Sequence, residues 1–252
     1  PTWYALTVYL LAPLIPPMVV ILALLGWRPP DFLSGLRWNQ SQMTLGVFRV
    51  SLARDACSDA WGEPDLVYYH DGLSTTVSVE RWGRHYAMKN NGKVDASNGD
   101  DMPTQIMVAA YPLLMHPNGP EDLDVAVVGF GSGVSVGTAL RFPVKSVDVM
   151  ELERAIPDAS KYFQDVNGLD YVLSDFPYVQ MDRLTVINDD GRNYLASTDR
   201  QYDVIVSEPS NPWITGVSDL FTTDHWRITK QRLRPGGIYC QWVQLYELSP
   251  EN

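Results

Sequence analysis

From residue 124 onward, short runs that are apolar throughout recur with helical stretches between them: DVAVVGF, SVDVMEL, LTVIND, YDVIVSE and GIYCQWV. A strand with one face in water alternates apolar and polar residues, so a wholly apolar strand must be covered on both faces. Helical spacing near 133–141, 154–164, 191–197 and 223–232 separates these runs, which predicts α/β architecture with a parallel, doubly wound, Rossmann-like sheet over 118–252. Residues 44–101 keep a different rhythm. TLGVFRVSL, DLVYYHDG, LSTTVSVERWG, RHYAMKNN and GKVDAS alternate apolar with polar residues between Asp-Gly, Trp-Gly and Asn-Gly turns, the pattern of a small antiparallel β domain built from hairpins. MPTQIMVAAYPLLMHP, residues 102–117, has helical spacing with Pro103 in its first turn and reads as a linking helix.

The first 27 residues carry no charge and have aromatic residues at both ends. At roughly 1.5 Å per residue that length crosses a bilayer, so 1–27 is expected to be a transmembrane segment, the end of a larger membrane region, with 28–43 as a linker. The soluble part is then expected on the cytoplasmic side. No basic start or small-residue cleavage site marks the run as a secretory signal.

The net charge is −11, and the first 50 residues, with Arg28, Arg37 and Arg49 against Asp31, make the remainder two charges more acidic than the whole. That balance argues against a nucleic-acid partner and suits cationic small molecules. Two distant cysteines, Cys57 and Cys240, match no metal spacing, so no metal and no disulfide framework is expected.

Chemistry concentrates where the apolar strands end. VVGFGSGVSVG opens a helix after the first of them, and Gly129, Gly131 and Gly133 let backbone approach a ligand. The dinucleotide fingerprint wants glycine at its sixth place, and Val134 stands there. Glu151 ends the second strand, 22 residues after Gly129, where an acid accepts bonds from ribose hydroxyls; Glu153 reads equally as a solvated acid. Asp189 and Asp190 follow the third, placed to meet the exocyclic amine of adenine, although Asp190 before GRNYL also reads as a helix N-cap. In YDVIVSEPSNPW one carboxylate, Glu208, ends a buried strand inside a loop that two prolines keep from becoming a helix.

Glycine loop, acid and Asp in that order resemble the class I S-adenosylmethionine-dependent fold. With DGLSTTVSVE, His116-Pro117, MELE, NDDGRNYL, SEPSNPW and RLRPGGIYCQW, the stretch from Thr44 to Asn252 resembles the spermidine synthase family of aminopropyltransferases, particularly its membrane-fused branch. The resemblance implies a small β domain before a Rossmann-like one. It also implies transfer of an aminopropyl group from decarboxylated S-adenosylmethionine to a diamine, releasing methylthioadenosine. In it Glu208 takes the place of an aspartate that helps deprotonate the attacking amine. Several places depart from the family pattern. Asn211 replaces a second loop aspartate, Ser132 an aspartate beside the donor's terminal amine, and Thr75 a glutamine after Asp71-Gly72. Thr104, Gln105 and Ile106 replace a Tyr-His-Glu run. The nucleoside end is kept and the acceptor end is rewritten.

Three readings follow: aminopropyl or related transfer with Glu208 as base; cleavage of intact S-adenosylmethionine to methylthioadenosine and a lactone; and a nucleoside-sensing domain without turnover. In each, Gly129, Gly131, Ser132, Gly133, Glu151, Asp189 and Asp190 face the nucleoside sulfonium. Thr75, Gln105 and Asn211 face the substrate amine in the first. The oligomeric state stays open, a homo-oligomer included.

Overall fold

The structure is a computed structural model that describes residues 64–169, 178–212, 214 and 216–243, together with Gln40 and Thr44. The expected transmembrane segment 1–27, most of the linker 28–43 and the first expected strand, apart from Thr44, lie outside the described residues. Among those described, no helix is long and apolar enough to cross a membrane.

Two sheets lie within the compact unit Met43–Asn252. The first is an antiparallel meander in the order β1-β2-β3-β4, with β1 at Asp65–Asp71, β2 at Thr76–Trp82, β3 at His85–Asn90 and β4 at Lys93–Ser97. In β2 and β3 the apolar Val77, Val79 and Met88 enter the core, but the polar residues between them do not face water: Ser78, Glu80 and Lys89 are buried as well, and Glu80 pairs with Lys89. Helix α1, Met102–Met115, joins the sheets; Pro103 lies in its first turn, where the missing N–H costs nothing.

The second sheet runs β10-β9-β5-β6-β8-β7, with β5 at Asp124–Val128, β6 at Ser146–Met150, β7 at Tyr178–Met181, β8 at Leu184–Ile187, β9 at Tyr202–Ser207 and β10 at Leu233–Gln241. Every residue of β5 is buried, as an apolar strand at the centre of a doubly covered sheet requires. The all-parallel expectation needs one correction. β7 pairs antiparallel with β8, because two residues, Asp182 and Arg183, connect them and a parallel crossover needs about a dozen.

Helices α2, Val134–Arg141, α5, Gly191–Ser197, and α6, Thr223–Arg232, stand where the spacing predicts them. The helix expected over 154–164 is three pieces: α3 at Ala155–Ser160, a 3-10 turn at Lys161–Phe163, and α4 at Gln164–Asn167, closed by Gly168 in the left-handed region. One apolar core runs through both sheets, joining Val77, Val79 and Met88 to Val125, Val127 and Phe163. Tyr162 donates to Val67 O (2.8 Å) and Tyr86 stacks on Tyr162, which fixes the small sheet against the α3–α4 segment.

Candidate active site

Strand order reverses between β5 and β9: the chain steps from β5 through β6 to β8 on one side and from β9 to β10 on the other. In open α/β sheets this switch point leaves a crevice at the carboxyl ends of the strands. The glycine loop after β5 and Glu208 after β9 both stand there. Glu208 N donates to Val128 O (3.0 Å), and a Cβ on Gly129, whose φ is 94°, would approach Glu208 O to 3.2 Å. Gly129 therefore answers two demands at once, a positive φ and a close crossing of backbones. Gly131, at φ 54°, has open space where a side chain would be, and Gly133 is the left-handed N-cap of α2.

Glu151 is buried behind this loop. Its Oε2 accepts from Phe130 N and its Oε1 from Glu153 N, both at 2.9 Å. Burial pushes its carboxyl up to about 7 although these backbone N–H groups favour the ionised form. Asn188 at the end of β8 donates to Glu151 O (2.9 Å), which brings the third strand end alongside the second. Asp189 Oδ1 accepts from Asp190 N and Asp190 Oδ1 from Asn193 N, both at 2.8 Å, so Asp190 caps α5, the alternative its sequence context offered.

Ser132 is 2% exposed. Its hydroxyl donates to Gln105 Oε1, while Gln105 Nε2 donates to Ser97 O and to Asp101 Oδ2, both at 2.8 Å. Two sequence candidates 27 residues apart are thereby joined, and Asp101 ties them to the end of β4. Asn167 donates to Ser132 O (2.8 Å), so the loop is held through backbone as well.

Glu208 keeps a partial opening to solvent, but protein crowds its carboxyl closely enough that desolvation pushes it up to about 7; Asp101 pushes the same way, and the Ser135 hydroxyl, which donates to Oε2, pulls against both. Asn211 is fully buried, and its carbonyl accepts from Ile214 N (3.0 Å). Between them Ser210 donates to Asp95 Oδ1 (2.8 Å), which also pairs with Lys93, so the loop is tethered to β4 of the small sheet.

Thr75 lies in the turn between β1 and β2, and its Oγ1 is buried with no hydrogen-bond partner among the described residues. Glu153 clamps that turn: it accepts from Ser74 N (3.1 Å) and Ser74 Oγ (2.9 Å), and a Cβ on Gly72 would fall 2.3 Å from its carboxyl. Burial pushes Glu153 upward, but these donors hold it below the usual carboxylate range. The solvated reading of Glu153 is thus corrected: 5% exposed, it sits under the turn because Gly72 leaves room for it. Sequence reading also passed over Asp101 and Ser135. Nothing in their local patterns marks them, since each gains its partner from a distant segment. Among the described residues no group of three or more His, Cys, Asp or Glu is placed to hold a metal ion.

Comparison with known proteins places the fold in a known family. The spermidine synthase of Dictyostelium discoideum is 28% identical over 161 residues, 62% of this chain and 52% of that protein. A polyamine aminopropyltransferase of Streptococcus uberis is 29% identical over 151 residues, 59% and 48% respectively, so the chain spans about half the length of the curated relatives it matches. Crystal structures of a spermidine synthase with the transition-state analogue AdoDATO and of the Thermotoga maritima enzyme share the fold, with TM-scores of 0.59 and 0.57 at 18% identity; the first covers 70% of this chain and 57% of its own. Residues 102–251, which include α1, the glycine loop and the Glu208 loop, match the spermine/spermidine synthase domain; by a match over more than half its length, the chain belongs to that family.

Proposed function

We propose that this chain is an aminopropyltransferase-like enzyme that moves an aminopropyl or related group from an S-adenosylmethionine-type sulfonium to an amine. The observation that carries the reading is Glu208, a carboxylate at the switch point, on a residue only partly open to solvent, that desolvation pushes up to about 7. An ammonium has no lone pair, so the acceptor must lose a proton before it attacks. Desolvation raises a carboxylate and lowers an ammonium, which brings donor and acceptor of that proton together. The ammonium first gives its proton to Glu208; the freed amine nitrogen then forms a bond to the methylene carbon beside sulfur as the carbon–sulfur pair goes to sulfur, leaving methylthioadenosine and a secondary ammonium. The sulfonium is already a good leaving group, so the remaining task is alignment.

The other residues follow from this placement. Gly131 leaves the outer face of the glycine loop open, and Gly129 and Gly133 hold its path. Glu151 has lone pairs to spare for ribose hydroxyls beyond the two N–H groups it accepts. Asp189 and Asp190 border the adenine. Thr75 Oγ1, buried without a partner, gains one from a substrate heteroatom, and Gln105 and Asn211 complete the acceptor side. No metal takes part. In the same reading the small β domain 44–101, the linking helix 102–117 and the domain 118–252 act behind a membrane segment at 1–27, on the cytoplasmic side, with a homo-oligomer as one assembly.

Ser132 bears on the donor. An aspartate there would repel the carboxylate of intact S-adenosylmethionine by about 1–4 kcal/mol across a few ångströms. Serine, turned toward Gln105, does not. The chain therefore accepts the intact donor at least as well as the decarboxylated one, and Ser132→Asp reverses the order. Incubation with each donor, with and without diamines, and identification of the nucleoside product tests the whole reading. Methylthioadenosine formed only when an amine is present supports transfer, and none under any condition overturns it. A tenfold preference of the wild type for the decarboxylated donor refutes the part that rests on Ser132.

A further inference from the structure

One side chain from another element reaches the Glu208 carboxyl. Ser135, the second residue of α2, is 2% exposed and donates its hydroxyl to Glu208 Oε2. Asp101, the N-cap residue of α1, stands close enough for its charge to act on the Glu208 carboxyl, and it is itself held by Ser97 N, Ser97 Oγ and Gln105 Nε2. We propose that Ser135 is a positioning residue for Glu208: its hydroxyl holds Oε2 so that Oε1 is the oxygen left for the amine. The inference rests on the base reading of Glu208 and adds what orients that base.

The chemistry follows from which protonation state each neighbour favours. A hydroxyl that donates to a carboxylate stabilises the charged form, and a nearby carboxylate disfavours it. Ser135 and Asp101 therefore act in opposite directions on one proton. Among the described residues few other charged or titratable groups bear on this carboxyl. The Cys240 thiol on β10 lies within reach of its charge, and Lys93 and Asp95 reach the same loop at Ser210 but pair with each other. None of these donates to Glu208 Oε2, and Ser135 does.

A readout independent of the acceptor's identity is available. In protein labelled with carbon-13 at the glutamate side-chain carboxyl, the Glu208 resonance is assigned by its loss in Glu208→Gln and followed with pH. Ser135→Ala is expected to raise its midpoint by about one pH unit, the worth of one hydrogen bond to a charged acceptor. Asp101→Asn is expected to lower it. A midpoint that does not move in Ser135→Ala overturns the positioning role, and one that fails to fall in Asp101→Asn overturns the opposition. Turnover separates this inference from the reading beneath it. If Glu208→Gln stays active, the base reading fails; if it is inactive while Ser135→Ala keeps the wild-type pH profile, only the role of Ser135 fails. The expected result is a Ser135→Ala enzyme that is slow at pH 7 and recovers at higher pH, beside a Glu208→Gln enzyme slow at every pH.

Discussion

Glu151 and Glu208 end the two strands that flank β5, and burial pushes both carboxyls up to about 7. Their holders differ. Glu151 rests on two backbone N–H groups, of Phe130 and Glu153, which cannot turn away without unmaking the loop. Among the described residues Glu208 rests on a single hydroxyl, and part of it faces solvent. Under the proposed function, equal shifts therefore serve unequal ends. A carboxylate fixed by backbone organises a binding surface, while one fixed by a rotatable hydroxyl can trade a proton. A raised pKa alone would not have told the two apart.

The largest expected effect separates them by chemistry. Glu208→Gln keeps size and hydrogen-bonding capacity but removes the base, so turnover falls by roughly 100-fold or more while methylthioadenosine still binds. Single-turnover rates and calorimetry on the same preparation check both halves. Glu151→Ala should do the reverse and weaken nucleoside binding by about 10- to 100-fold, the worth of a hydrogen bond from a charged acceptor. Unchanged affinity would place the ribose elsewhere.

The third test moves outward to the neighbouring acid. Gly72→Val places a side chain where the Glu153 carboxyl lies, so either that carboxyl leaves its bonds to Ser74 or the β1–β2 turn shifts. About 2–3 kcal/mol of stability should be lost, read from the urea midpoint, since overpacking and unpaired buried carboxyl both contribute.

The smallest effect is on stability against pH. Glu151 and Glu208 have folded pKa values above their ordinary ones, so the stability they contribute is fully present below about 4.5 and is lost as pH rises through about 7. Buried His225, lowered to about 4 by desolvation first and Arg192 second, acts in the opposite sense: its contribution is present above 6.5 and lost as pH falls through about 4. From pH 6.5 to 8 the loss from the carboxylates outweighs the small remaining gain from His225. Across that range the melting temperature should fall, with about 1 kcal/mol of the loss due to Glu151, and Glu151→Gln should flatten the slope. An equal slope in the variant would mean that Glu151 is ionised throughout that range.

Much of this site is legible in the residues alone. Gly129, Glu151, Asp189 and Glu208 each follow a buried strand, and in a parallel sheet all such ends share one edge, so reading the strands amounts to reading the site's outline. Asp190 as an N-cap is equally local, because the donor to its side chain is three residues away. The strand β7 was missed for a physical reason. As an edge strand joined to β8 by a two-residue turn, it needs no crossover helix and interrupts the strand-helix rhythm that revealed the others.

What the sequence by itself determined is the class of sheet, the order of its strands along the chain and the acids that end them, because hydrophobic periodicity records which faces are buried. Only the tertiary structure decided which side chains meet. Ser135 reaches Glu208 across 73 residues, Gln105 reaches Ser132 across 27, and Ser74 reaches Glu153 across 79. Such pairs depend on strand order, register and the close crossings that Gly72 and Gly129 permit, and no local pattern encodes a partner that chain folding brings from that far away.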